Sequence, residues 1–281
     1  MSEPAERFAD LRAGGFRYLE WPGASERPTA VLLHGLTGIA DVWRPTVDLL
    51  PAGHSPVYAP DLRGHGQSPK PGGRGAYTAL RMARDIVEFC PAVGVDRPHL
   101  VGHSMGARVA IVLAARYPAR VRSVTVVDIG PEAWAANLDA TARSLGQMPR
   151  SFPSRTDALE FAFRGRTPLT ADEEMFFRRL VREPNGSYRW LGSPEAMISA
   201  VTSQRRRNYW REWESIAIPA LFVRGGASRE VRPGVADEMR RRNPRVAYAE
   251  FEEVGHNVPL LAAGRLAAQL DRFWRDLERP A

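Results

Sequence analysis

The sequence contains one cysteine, Cys90, and one lysine, Lys70, among 281 residues. A single cysteine excludes an intrachain disulfide and gives no reason to expect an oxidising compartment. Cys90 ends the apolar run Ile86-Val87-Glu88-Phe89-Cys90 and reads as a small buried hydrophobe rather than a nucleophile. No stretch approaches the roughly 18 consecutive apolar residues of a membrane span. The first residues, Met1 to Glu6, are acidic and lack a basic patch ahead of an apolar segment, so no secretory signal is expected and the expected location is cytoplasmic. Metal-donor patterns are missing as well: there is no cysteine pair, no His-x-x-x-His and no carboxylate cluster. Gly72-Gly73-Arg74-Gly75 follows Pro71 in a loop and opens no helix after a strand, so no phosphate loop or dinucleotide fingerprint is present. Neither a metal nor a cofactor is expected.

Because lysine is so scarce, the other basic residues behind the net charge of +7 are all arginine. They are scattered, and the densest runs, Arg205-Arg206-Arg207 and Arg240-Arg241-Arg242, read as solvated helix faces rather than a nucleic-acid footprint. Hydrophobic residues make up 44% and charged residues 25% of the chain, which is ordinary globular composition and excludes extensive disorder.

Short apolar segments alternate with helical ones. Strands are expected at Phe16–Trp21, Ala30–Leu33, Pro56–Pro60, His99–Gly102, Val121–Val127, Ala220–Val223 and Ala247–Phe251. Helical spacing covers 78–93, Ala107–Tyr117 and Arg265–Leu277. This order predicts an α/β fold with a mostly parallel central sheet and helices on both faces. The alternation breaks after Pro131. Residues 131–215 show helical stretches at Leu138–Leu145, Asp157–Phe163, Ala171–Arg182 and Pro194–Tyr209, with no convincing strand, and hold 11 of the 25 aromatics. A helical cap inserted at 131–215 between two core segments, 1–130 and 216–281, is therefore expected. Some of its aromatics are expected to close an apolar pocket and others to pack the cap's own small core.

Gly102-His103-Ser104-Met105-Gly106 fits G-x-S-x-G, follows a strand and opens a helix. The chain must turn so sharply at Ser104 that side chains two residues before and after would strike backbone, which is why glycine stands at both places. The turn lifts the Ser104 hydroxyl to the top of the sheet and brings the Met105 N–H and the helix N-terminus beside it, where an oxyanion would form.

With this elbow, the segments His34-Gly35-Leu36-Thr37-Gly38, Asp61-Leu62-Arg63-Gly64-His65-Gly66-Gln67-Ser68 and Gly255-His256-Asn257-Val258-Pro259 resemble the matching motifs of the α/β-hydrolase fold superfamily. They are most similar to its capped esterase and lactonase branch, the YbfF-like bacterial ester hydrolases. The resemblance implies Ser104 as nucleophile, His256 as general base, and the backbone N–H groups of Leu36 and Met105 as the oxyanion hole. His256 is also the one histidine that follows a late strand, in the chain order Ser…acid…His. His34 is expected to order the loop before the oxyanion residue. His34, His103, Trp134 and Trp190 are candidate pocket residues. An Asp61–Arg brace is expected near the same loop.

Two carboxylates compete for the acid. Family patterns place an aspartate after the strand Ala220–Val223, but the segment here reads Gly225-Gly226-Ala227-Ser228-Arg229-Glu230, with Arg229 at the aspartate's place and Glu230 one residue later. Asp128 ends the strand that follows the nucleophile, in Val-Asp-Ile-x-Pro, and is favoured; its bland alternative is a helix cap. The implied activity is serine hydrolysis of a small-molecule carboxylic ester, of short or medium acyl or aryl type or a lactone, by a monomer or homodimer. The same machinery would serve a C–C bond hydrolase or perhydrolase, and the same scaffold a non-hydrolytic ligand receptor. Haloalkane dehalogenases and epoxide hydrolases carry an aspartate at the elbow and are disfavoured.

Overall fold

A computed structural model describes residues 3–73, 75–132, 135–167, 169–204 and 207–279. In chain order it contains β1 (Ala5–Leu11), β2 (Gly14–Trp21), β3 (Ala30–Leu33), α1 (Arg44–Val47), β4 (Val57–Pro60), α2 (Ala79–Ala92), β5 (His99–His103), α3 (Met105–Arg116) and β6 (Ser123–Val127). An insert follows with α4 (Ala135–Gly146), β7 (Ser151–Phe152), α5 (Arg155–Phe163), α6 (Thr170–Phe177), β8 (Leu180–Arg182), β9 (Tyr188–Trp190), α7 (Pro194–Thr202) and α8 (Trp210–Ser215). The chain returns to the core with β10 (Ala220–Gly225), α9 (Pro233–Arg242), β11 (Ala247–Phe251), α10 (Val258–Leu261) and α11 (Ala263–Glu278).

The main sheet runs in the order β1-β2-β4-β3-β5-β6-β10-β11. The β1–β2 and β2–β4 pairs are antiparallel, and every later pair is parallel. The central strands are buried on both faces, so they read as unbroken apolar runs, and successive side chains feed two different cores. Val31, Leu100, Val124, Val126 and Phe222 pack under α2, α3, α8 and α9. Leu32, Val101, Val127, Leu221 and Val223 pack on the other face against α1, α10 and α11, where Trp43, Leu270 and Trp274 close the layer.

The insert departs from the expectation of helices alone. Strands β7, β9 and β8 form a small antiparallel sheet. Each is two or three residues long, too short to show an alternating pattern, and β8 lies where helical spacing extended to Arg182. Helix α6 ends at Phe177 because Phe176 and Leu180 turn together with Phe152 and Ala158 into a separate apolar cluster, with Tyr188 and Trp190 against it. Leu138, Leu145, Met197 and Val201 join α4 to α7 in a second cluster. The aromatics at the end of the segment behave differently: Tyr209 and Trp213 are buried in the main core.

Trp213 is completely buried and its indole N–H donates to the Met239 carbonyl at 2.8 Å. Trp213→Ala is expected to cost about 3–5 kcal/mol of stability by leaving a cavity, read as a lowered urea midpoint with an unchanged slope.

Candidate active site

Strand β5 ends at His103 and helix α3 begins at Met105, leaving Ser104 alone in the turn with φ 52° and ψ −117°. Such a backbone costs a non-glycine residue about 1–3 kcal/mol and persists only where its surroundings fix it. The Ser104 N–H donates to the Val127 carbonyl at 3.0 Å, extending the β5–β6 ladder by one residue. A Cβ on Gly102 would lie 2.3 Å from the Gly106 carbonyl oxygen, and one on Gly106 would lie 2.4 Å from the Leu33 carbonyl oxygen. Both glycines are therefore required by backbone contact.

His256 follows β11, and its Nε2 lies 2.9 Å from Ser104 Oγ. Its Nδ1–H donates to Asp128 Oδ2 at 2.7 Å. Asp128, just past β6, is fully buried and also has a positive φ, 50°. Its carboxylate accepts from the Gly225 N–H at 2.9 Å and from the Ser228 hydroxyl. Glu230 lines the same cavity, but it is Asp128 that the imidazole meets. The segment after β10 thus contributes no acid. The last residue of β10, Gly225, and the loop residue Ser228 instead supply two donors that hold the carboxylate arriving from the neighbouring strand. Ser228 also accepts the Glu230 N–H at 3.2 Å, which fixes the loop around it.

The loop from Gly35 to Ala40 is held from below. His34 Nδ1–H donates to the Gly35 carbonyl at 2.7 Å, and its Nε2 accepts the Leu62 N–H at 2.9 Å. Burial pushes the His34 pKa well below its ordinary value, in keeping with that neutral tautomer. The His65 Nε2–H is directed to the Leu36 carbonyl. Asp61 accepts from the Ala40 N–H at 2.7 Å and the Gln67 N–H at 3.1 Å. Its arginine partner is Arg17 of β2 at 3.3 Å rather than the sequence neighbour Arg63, which reaches Asp85 on α2. Leu36 and Met105 both line the cavity over Ser104, and among the described residues neither backbone N–H meets a protein acceptor.

The alpha/beta hydrolase fold model matches residues 28–263. The chain belongs to the α/β-hydrolase family. It is similar to 2-(acetamidomethylene)succinate hydrolase of Mesorhizobium japonicum, with 31% identity over 233 residues covering 82% of each chain. It is 28% identical over 260 residues to N-formylmaleamate deformylase of Pseudomonas putida, covering 89% of this chain and 90% of the relative. A crystal structure of E-2-(acetamidomethylene)succinate hydrolase superposes with a TM-score of 0.84 at 25% identity, over 96% of this chain and 98% of that one.

In this α/β-hydrolase the cavity above Ser104 has a volume of about 270 Å³. His103 lines it and donates from Nε2 to the His256 carbonyl at 2.8 Å. Two other pocket candidates do not line it. His34 is fully buried beneath the loop, where its ring is used up by backbone contacts. Trp190 faces an adjoining cavity of about 710 Å³, and its indole N–H donates to the Pro149 carbonyl. Trp134 lies outside the described residues.

Arg108, Ser228, Gln204 and Arg179 are site residues that sequence reasoning missed. Arg108 stands one turn after Ser104 on α3, so its spacing could have revealed it. Its guanidinium donates to the carbonyls of Gly130 (3.3 Å) and Glu132 (3.1 Å) and to the Gln204 side chain, tying the segment after Asp128 to the end of α7. Burial lowers its pKa to about 10, so it stays charged at neutral pH.

Buried imidazoles make stability depend on pH: burial lowers the pKa of His34 and His65, and the same holds for two further rings. Burial lowers the pKa of His103 to about 4 and that of His99 to about 3, from an ordinary 6.5. Both are neutral in the fold, whereas the unfolded chain takes up their protons near pH 6.5. Stability is therefore complete above that pH and falls as pH drops toward the folded values, by about 1.4 kcal/mol per pH unit for each fully protected histidine. Urea midpoints measured from pH 7 to pH 4 are expected to fall, and His99→Gln is expected to flatten the slope. A flat wild-type profile would show that these rings bind protons in the folded chain.

Proposed function

We propose that this α/β-hydrolase is a serine hydrolase cleaving carboxylic esters with short or medium acyl or aryl groups, in the manner of the capped, YbfF-like esterase and lactonase branch. One observation carries the proposal: Ser104 Oγ, His256 and the buried Asp128 form a continuous chain with contacts of 2.9 and 2.7 Å. A serine hydroxyl is a weak nucleophile at neutral pH and needs an imidazole within hydrogen-bond reach to take its proton. Asp128 accepts from Nδ1, which leaves the Nε2 lone pair facing Ser104. The carboxylate then stabilises the imidazolium that forms.

In this mechanism Ser104 Oγ attacks the ester carbonyl carbon while His256 takes the hydroxyl proton. The oxyanion is met by the N–H groups of Leu36 and Met105, aided by the positive end of α3. Collapse expels the alcohol, protonated by His256. Water, activated by the same imidazole, then attacks the acyl-serine and releases the acid. Residues 131–215 act as the lid over this site: Leu138, Thr141, Arg179, Val201 and Gln204 of that segment line the cavity. Every group comes from one chain, so the chemistry needs no second subunit. Amide hydrolysis through the same acyl-enzyme is the second reading, favoured by the 31% identical relative, whose substrate name contains an acetamido group.

Ser104→Ala is expected to abolish fluorophosphonate labelling and to lower p-nitrophenyl butyrate turnover by at least about 10⁴-fold. Asp128→Asn is expected to lower kcat by about 10³–10⁴-fold, since it favours the wrong imidazole tautomer. Glu230→Gln is expected to stay within a few-fold of wild type. Labelling that survives Ser104→Ala would overturn the proposal, and a larger loss in Glu230→Gln than in Asp128→Asn would overturn the assignment of the acid. An acetamido substrate assayed beside the butyrate ester separates the two readings.

A further inference from the structure

Among the described residues, four arginines are buried, and each reaches acceptors that satisfy it. Arg17 meets Asp41 and Asp61, Arg63 meets Asp85, Arg108 meets two carbonyls and Gln204, and Arg224 meets Glu250 and the Val231 carbonyl. Arg179 is the exception. It sits between α6 and β8, partly buried, with its Nε shut off from solvent and without a hydrogen-bond partner. No carboxylate among the described residues pairs with it. Its neighbour Arg178, by contrast, reaches Asp41. Burial lowers the Arg179 pKa from the usual arginine value, as expected for a cation held in the protein without a counter-charge.

Its position gives this isolation a meaning. Arg179 lines both the cavity over Ser104 and the larger adjoining one, together with Thr37, Gly38, Thr141 and Leu260. These five residues stand on the boundary that the two spaces share, which we read as the neck between them. Thr37 follows Leu36 directly, so the neck begins beside the oxyanion loop. Beyond it, Phe161, Phe163, Met175, Phe176 and Trp190 line the larger chamber. The acidic residues on the two walls are Glu132, which takes the Trp210 indole N–H, together with Glu230 and Asp172; none is an ion-pair partner of Arg179. A guanidinium with no carboxylate partner among the described residues, two threonine hydroxyls and an apolar chamber behind it match an amphiphilic anion.

We propose that Arg179 is a specificity-determining residue that binds a carboxylate on the substrate, and that the enzyme acts on acyl compounds bearing a carboxylate near the scissile carbonyl and an apolar arm reaching through the neck. The proposal rests on the serine-hydrolase reading above. It adds the charge of the substrate, which that reading leaves open.

The test compares near-isosteric esters with and without the charge: p-nitrophenyl hemisuccinate against p-nitrophenyl butyrate for the acyl side, and 3-acetoxybenzoate against phenyl acetate for the leaving side. The wild type is expected to prefer the anionic member of at least one pair by tenfold or more in kcat/KM. That preference is expected to fall by tenfold or more in Arg179→Gln and to be partly kept in Arg179→Lys. A wild type that prefers neither anion overturns the proposal, as does a preference that Arg179→Gln leaves within twofold. Should Arg179→Gln fail to fold, Arg179→Met, which retains the length of the aliphatic stem, takes its place. Fluorophosphonate labelling of Ser104 reports the hydrolase reading separately. If no ester is turned over, calorimetric binding of monomethyl succinate against methyl butyrate to Ser104→Ala reads the anion site alone, and equal binding of the two overturns it.

Discussion

The hydrogen bond between His256 Nδ1 and Asp128 is the contact on which the site depends, because it joins segments 128 residues apart in the chain. Parallel pairing makes the contact available. Strands β6, β10 and β11 run side by side in one direction, so the residues after them emerge along a single edge of the sheet. A carboxylate buried as deeply as Asp128 must have donors, or its desolvation would disfavour the charged form. It has three: the imidazole, the Gly225 N–H and the Ser228 hydroxyl. Two come from the end of β10 and the loop after it, so that segment fixes the carboxylate, the carboxylate fixes the ring, and the ring presents its other nitrogen to Ser104.

Strain is concentrated at the same edge. Ser104 and Asp128 both have positive φ, one residue beyond neighbouring strands. In each case the ladder continues past the strand: Ser104 N–H to the Val127 carbonyl, and Asp128 N–H to the Val223 carbonyl. The two strained residues are thus clamped by the sheet through their amides while their side chains are free to point at the site. The two-sided apolar core under β5, β6 and β10 supplies the rigidity that keeps both in place.

Local features were legible in the sequence, and features that depend on tertiary reach were less so. The elbow could be read because its requirements lie within five residues, and the sheet strands because burial on both faces leaves apolar runs. Asp128 and Glu230 were harder to rank, since the choice rests on which of two loops places a carboxylate against the ring. The sequence around Ser228 looks like a defective acid segment, while its function in the fold is to hold an acid from elsewhere. Asp61 was recognisable as a brace, but its partner Arg17 is 44 residues away and the adjacent Arg63 turns to α2. The strands of the insert escaped because two or three residues carry no period. His34 sits in a motif beside the site yet points beneath it, an orientation that sequence adjacency does not encode.

The proposed role of Arg179 also bears on the chemistry at Ser104. The two candidate oxyanion donors are backbone amides, and the helix end behind Met105 adds only a partial charge. A substrate carboxylate held beside that site would repel the developing oxyanion, and in a cavity of low dielectric the repulsion would be stronger than in water. A full positive charge at the neck offsets it, so the group that selects the anion would also remove the penalty of having selected it. Arg108 is unsuited to this part. Its donors are occupied by Gly130, Glu132 and Gln204, and turning it toward a ligand would release the segment that follows Asp128. Arg179 carries no such structural duty, which leaves its charge available to a ligand.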